Sequence, residues 1–370
     1  MKRITNKILA LLVAPLLAAG CIEETKPESS VMLPDQISLD GMARSFSVAM
    51  MMPDKCGFLS NYGSQADFGV PAMHIMTDAM LEDLAIQGAN PGYFQFYPWA
   101  YNLGMDDQSW PTGYFWEHYY AYIKIANDLI GMIDVNAENF EENKVYLGYA
   151  YAYRAMCYLD LARLYEPKVN DYTDVRRVLG LTVPIVDENT TIEQTKNNPR
   201  VPRADIYTFI FEDLARAEKY IDSSFKTYSE PTLMAVYGMY ARAYIELGYS
   251  DDPAFPVQES FRKAAEYSRK VIDESGKTPL TQAQWEDPVT GFNNGASNNA
   301  WIWGLTTTSE NLNNLLTFIS HMSGEAAWGY ARYAQFGVSA RLYDQIPDSD
   351  FRKHSWLDPK KEEYYAYKFA

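Results

Sequence analysis

Apolar residues recur every three or four positions along much of the chain, and the clearest run lies within Glu141–Tyr165. There Leu147, Tyr151, Ala155, Tyr158, Ala162 and Tyr165 share one face, the period of an α-helix about seven turns long. Tyr146, Tyr149, Tyr151, Tyr153 and Tyr158 are interleaved with Ala and Gly. Small residues let a neighbouring helix come close, while a buried tyrosine brings a large apolar area and a hydroxyl that wants a polar partner. This helix is therefore expected to pack helices on more than one side.

The same period marks its neighbours. Helices are expected from Ile37 to about Gln87, broken by a loop over 53–69, with the second run Met73–Ile86 stopped by Gly88. Tyr114–Ile133 is expected to pair with the organising helix. Pro202-Arg203 opens a helix carrying Ile206, Ile210, Leu214 and Ala217, and Pro231 opens another carrying Val236, Tyr240, Ala243 and Leu247. Phe261, Ala264, Ser268 and Val271 form one more, stopped by Gly276. Residues of about 114–275 thus read as helix pairs of tetratricopeptide (TPR) character, with irregular repeat spacing. Thr182–Val186 reads as a short extended segment.

Two stretches break the pattern. Residues 88–113 hold Tyr93, Phe94, Phe96, Tyr97, Trp99, Tyr101 and Trp110 among turn residues, and prolines 91, 98 and 111 forbid a continuous helix. A long ring-laden loop in a compact domain is usually functional. From Thr281 onward come Trp285, a Gly/Asn-rich run over 291–299, and Trp301-Ile302-Trp303, which alternates like a strand. His321, Trp328, Tyr330, Tyr333 and Phe336 follow, and the chain ends on strand-like Tyr364–Phe369.

Composition narrows the chemistry. Hydrophobic content of 47% and charged content of 22% are those of a globular chain, and aromatics reach 15%. A formal charge of −16 repels phosphate backbones, which argues against nucleic acid as a partner. Four histidines, three cysteines and the lack of a D-x-D-x-D loop predict no metal and no cofactor. A Cys56–Cys157 disulfide is left open by the spacing. Residues 1–20 have a basic start and an apolar run, Ile8–Ala19, interrupted by Pro15 and too short to span a membrane.

Several motifs together resemble the SusD/RagB family. Leu17-Ala18-Ala19-Gly20-Cys21 is similar to a lipoprotein signal with Cys21 as the acylated residue, and Glu23-Glu24 resembles the surface-export signature of Bacteroidetes lipoproteins. Tyr153-Arg154-Ala155 with Leu164-Tyr165, Val183–Val186, Pro202-Arg203-Ala204, Asp213–Ala217 and Ala241–Tyr244 follow the family's order. Leu342-Tyr343-Asp344 and then Asp350-Phe351-Arg352 match its Asp-x-Arg stretch. The linker after Tyr165 is longer and more charged than is usual. Family members also continue past the point where this sequence stops, so the resemblance implies a form truncated at its C-terminus.

The resemblance implies an all-α, SusD-like fold with TPR-like helix pairs, irregular aromatic-rich loops and a few short strands. It divides the chain into a signal (1–20), a tether behind lipidated Cys21 (21–36) and a SusD-like domain (37–370). It further implies a lipid-anchored protein of the outer-membrane surface that hands oligosaccharides to a SusC-like, TonB-dependent transporter and is not an enzyme. A peptide-binding member of the same family is the nearest alternative.

Sugar recognition needs flat rings for the C–H faces and Asn, Asp or Arg for the hydroxyls. The two irregular stretches offer both, so Trp99, Tyr101, Asn102 and Trp110 are the first candidate ligand contacts. Trp301, Trp303, Trp328 and Tyr330 come second, although rings in loops often only plug gaps above the core. The competing class, a helical glycoside hydrolase, needs two carboxylates at fixed separation. Asp78 with Glu82 or Asp83, and Asp106-Asp107, are the acids it would use.

Overall fold

In a computed structural model of the chain, the described residues are 38–51, 68–81, 83–86, 110–171, 173–223, 228–287, 289–292, 294–305, 316–323, 330–331 and 336–356. They form helices α1 (Leu39–Met51), α2 (Val70–Met80), α3 (Trp110–Met132), α4 (Phe140–Tyr165), α5 (Arg203–Tyr220), α6 (Leu233–Gly248) and α7 (Val257–Glu274), with several one-turn helices after them. Strands β1 (Leu84–Ile86) and β2 (Phe336–Val338) pair antiparallel, with Ala85 opposite Gly337. The described part is thus mainly helical, as its periodicity predicts.

α4 is the axis of the assembly, packed by α3, α5 and, more lightly, by α1. Burial is nearly continuous around it from Leu147 to Ala155 and resumes at Cys157. The small residues act as expected: a Cβ on Gly148 would meet Ile221 Cγ1 at 2.8 Å and Ile221 N at 3.1 Å, so α5 closes on α4 at that point. α6 and α7 form the next hairpin, with Gly248 against the Phe261 ring at one end and the Lys270 ammonium 4.0 Å from the Tyr237 ring centre at the other. A tier of near-parallel rings ties the two hairpins. Tyr240 stacks on Tyr267 at 4.4 Å, and Phe211 of α5 stacks on Tyr244 at 4.6 Å.

The tyrosine hydroxyls find their polar partners. The extended run 182–188 has little sheet to satisfy its backbone, only a bridge between Leu181 and Pro202. Side chains take over that task. Tyr158 Oη both donates to Val186 O at 2.8 Å and accepts from Val186 N at 2.7 Å. Tyr120 donates to Pro184 O, Asn127 to Val186 O and Asn198 to Ile185 O.

Beneath this run lies a charge within the core. Arg154 is fully buried among the otherwise uncharged buried residues of α4, and its Nε and Nη2 reach Asp213 of α5 at 2.7 and 2.8 Å. Its Nη1 donates to Asn127 of α3 at 2.7 Å and to Glu188 at 2.6 Å. Burial works against the charged guanidinium, but the hydrogen bonds and charges of Asp213 and Glu188 outweigh it and push Arg154 above its ordinary range. One cation thereby links α3, α4, α5 and the extended run.

Three expectations need correction. The helix read through Ile86 stops at Met80, and Leu84–Ile86 is a strand, because β2 supplies a partner far along the chain. Trp110 is not a loop residue; it opens α3, since Pro111 tolerates a first helical turn. Trp301–Trp303 is not a strand but a pair of bends without a ladder partner. Cys21, Cys56 and the tail 364–369 lie outside the described residues, and Cys157 is a free, buried thiol. Burial pushes that thiol well above the usual range. Ellman's reagent is therefore expected to leave Cys157 unmodified in the native protein and to react once urea unfolds it.

Candidate functional site

The stretch after α7 is built from turns that fix one another. Thr281 caps the short helix Gln282–Glu286 through a reciprocal pair with Gln284. Asp287 then accepts from Val289 N, Thr290 N and Thr290 Oγ1. Asn298 Nδ2 donates to Gly291 O and Asn294 O, and its Oδ1 accepts from Ala300 N. Asn299 and Lys277 cross-link the loop to the end of α7. The Gly/Asn-rich run is thus a frame with its own hydrogen bonds.

Gly291 is the tightest point of the frame. A Cβ there would fall 2.0 Å from Gln284 O and 2.3 Å from Asp287 O, both backbone atoms that cannot swing aside. Gly291→Ala is expected to displace the frame and cost about 1–3 kcal/mol, read as an earlier urea midpoint.

The frame carries rings into an open cleft of about 920 Å³. Its walls include Trp285, Phe292, Trp301 and Trp303 from the frame, with Phe351 and Arg352 from the one-turn helix Phe351–Trp356. Trp285 and Phe292 lie 4.8 Å apart between ring centres, and Phe292 is 6.0 Å from Trp301. Phe351 stands edge-on to Trp285 at 6.2 Å. Trp285 Nε1 donates to Ser355 Oγ at 2.8 Å, joining segments 70 residues apart. All five of these ring-bearing residues are half-buried and line the cleft. Trp303 reaches inward and meets Tyr153 of α4 edge-on at 5.4 Å, which ties the site to the core helix.

One ion pair supplies the charge. Arg352 grips Asp350 in a fork, Nε to Oδ1 at 2.9 Å and Nη2 to Oδ2 at 2.5 Å, and Asp350 Oδ1 also accepts from Arg352 N at 3.0 Å. That fork holds the Asp350 carboxyl down to about 2, so it is ionised at any ordinary pH. Apolar walls with a few placed polar groups suit a small organic ligand.

Of the residues singled out by sequence, Trp301 and Trp303 line this cleft and Tyr330 does not. Tyr330 lies 4.8 Å from the His321 ring, near β2. Trp99, Tyr101, Asn102, Trp328 and the Trp110 side chain fall outside the described residues. Sequence reasoning passed over Trp285, Phe292 and Phe351 as ligand contacts and took Asp350 and Arg352 only as a family motif. The density of rings around a Gly/Asn run was a usable signal for the first two. Nothing local signals that Phe351 meets Trp285.

Among the described residues, the acids weighed for hydrolysis do not line this cleft. Asp78 lies on α2, its carboxyl raised by burial, and the exposed Asp83 pairs with Arg341 at 3.2 Å. Glu82, Asp106 and Asp107 lie outside the described residues.

Comparison with known proteins agrees with the fold. The profile of a SusD-like family described as "Starch-binding associating with outer membrane" matches residues 74–245. No curated protein sequence matches the chain. Among solved structures, a SusD-like carbohydrate binding protein from Bacteroides vulgatus superposes with a TM-score of 0.66 at 20% identity, over 88% of this chain and 62% of that one. A SusD superfamily protein from Bacteroides thetaiotaomicron gives 0.62 at 17% identity, over 89% and 65%. A structure solved with a xylogluco-oligosaccharide gives 0.51 at 16% identity, over 82% and 55%. Residues 74–245 are thus similar in sequence to the SusD-like family, the fold resembles these structures over most of the chain, and the chain spans 62% of the length of the first of them. Among the described residues no helix is long and apolar enough to cross a membrane.

Proposed function

We propose that the protein captures oligosaccharides at the outer-membrane surface, held there by a lipid on Cys21, and passes them to a SusC-like, TonB-dependent transporter. The observation that carries this reading is the cleft. Five half-buried rings and one Asp–Arg pair line it together. Indole and phenyl faces suit the C–H faces of pyranose rings, and the ion pair suits their hydroxyls. The likeness to a carbohydrate binding protein and to a structure holding a xylogluco-oligosaccharide supports the same ligand class.

Binding without cleavage fits the walls better than hydrolysis. Acid–base cleavage of a glycosidic bond asks for two carboxylates across the sugar. Among the described wall residues the carboxylate is Asp350, and Arg352 already occupies both its oxygens. The helices of 114–275 are the scaffold in this reading. Trp99, Tyr101, Asn102, Trp110, Trp328 and Tyr330 are proposed as further ligand contacts.

Isothermal titration against neutral plant and bacterial oligosaccharides tests the capture reading. Saturable binding with no release of reducing ends is the expected result. Reducing ends appearing on incubation with the purified protein would turn the reading toward the hydrolase.

A further inference from the structure

The Asp350–Arg352 pair says which sugars the cleft accepts. We propose that it is a charge filter: the cleft takes neutral oligosaccharides and turns away those bearing carboxylate or sulfate, because Asp350 cancels the cation that would otherwise bind them. This inference rests on the capture reading and deepens it.

The geometry on the page carries it. Arg352 is 63% exposed at its side chain and lines the cleft, so its position alone would make it an anion site. Guanidinium recognises a carboxylate through two parallel N–H donors. Those donors, Nε and Nη2, are spent on Asp350, which also anchors Arg352 N through the turn at 350–352. What the fork leaves unspent is Nη1 and the second hydrogen of Nη2. These suit a sugar hydroxyl, which needs one donor and no net charge.

Among the described residues, the basic groups that follow Arg352 in the chain have acidic partners of their own. Lys353, next in the chain, is held by Asp348 at 2.7 Å. His354 sits 3.7 Å from Glu286. An anionic sugar entering the cleft thus meets a neutral pair, and does so on a chain of net charge −16 that repels it at longer range.

A glycan microarray bearing neutral, uronate-containing and sulfated oligosaccharides tests the filter, read with the unaltered protein and with Trp301→Ala to mark signal from this cleft. Trp301-dependent signal is expected on neutral members alone. Asp350→Asn keeps an oxygen for Arg352 N but frees the fork, and should raise binding to uronate members about tenfold. The double variant Asp350→Asn/Arg352→Gln should lose that gain. Trp301-dependent binding of uronate or sulfated members by the unaltered protein would overturn the filter and leave capture standing. So would an Asp350→Asn protein, folded by circular dichroism, that gains no anionic ligand. Absence of any Trp301-dependent signal would remove the capture reading itself, and the filter with it.

Discussion

Arg154→Ala is expected to lower the unfolding free energy by about 3–5 kcal/mol, measured by urea titration of helical circular dichroism. The substitution takes the two-pronged partner from Asp213, a carboxylate with no exposed side-chain surface, leaving it Arg216 at 3.3 Å, and removes the tie from Glu188 to the core. Burial already pushes the Asp213 carboxyl above its usual range against the pull of Arg154 and Arg216, so loss of Arg154 is expected to raise it further. The guanidinium also lies 4.9 Å from the Phe209 ring centre and 5.3 Å from that of Tyr151, contacts that alanine forfeits. A loss of this size is a large share of the ordinary margin of about 5–15 kcal/mol. The control is Arg176→Ala, which removes an equally well-formed fork to Asp174 on the surface and should leave the midpoint unmoved. Equal midpoints for the two variants would show that the buried cation does not organise the helices.

Trp301→Ala carries the second large effect. Its indole lies among Phe292, Tyr228 and the close backbone of Gly304, where an added Cβ would stand 2.9 Å from the indole ring. The ring is therefore held in one orientation before any ligand arrives. Truncating such a preorganised aromatic anchor costs about 2 kcal/mol or more in binding, some thirtyfold in Kd. Trp301→Phe retains a flat face and should recover most of the loss. Trp303→Ala behaves differently, because its ring also packs on Tyr153. It is expected to lower the thermal midpoint together with affinity. Trp301→Ala that binds glycan as tightly as the unaltered protein would take the platform role away from this cleft.

The scaffold was largely legible because its information is local. Leu147, Tyr158 and Ala162 repeat at helical spacing, and Gly148 and the alanines announced the close approach that α5 makes. Charge inside the core was not legible: Arg154 sits in the apolar period, and its partners come from three other stretches of chain. Strands β1 and β2 escaped notice for a similar reason. Three residues each is too short for alternation to register, and each exists because the other is beside it. Trp301–Trp303 shows the reverse failure, since alternating rings in a row look like a strand whether or not a ladder partner exists. The site divides along the same line. The sequence shows where rings and turn residues concentrate, but Trp285 meeting Phe351 and Ser355 is a tertiary event.

A crystal structure of the protein with a bound neutral oligosaccharide probes the central claim most directly. The account predicts a pyranose face within about 4 Å of the Trp301 indole. It also predicts a sugar hydroxyl accepting from Arg352 Nη1 while the fork to Asp350 stays closed. A glycan found elsewhere on the molecule, with the Trp285–Trp301–Phe351 cleft empty, would contradict it.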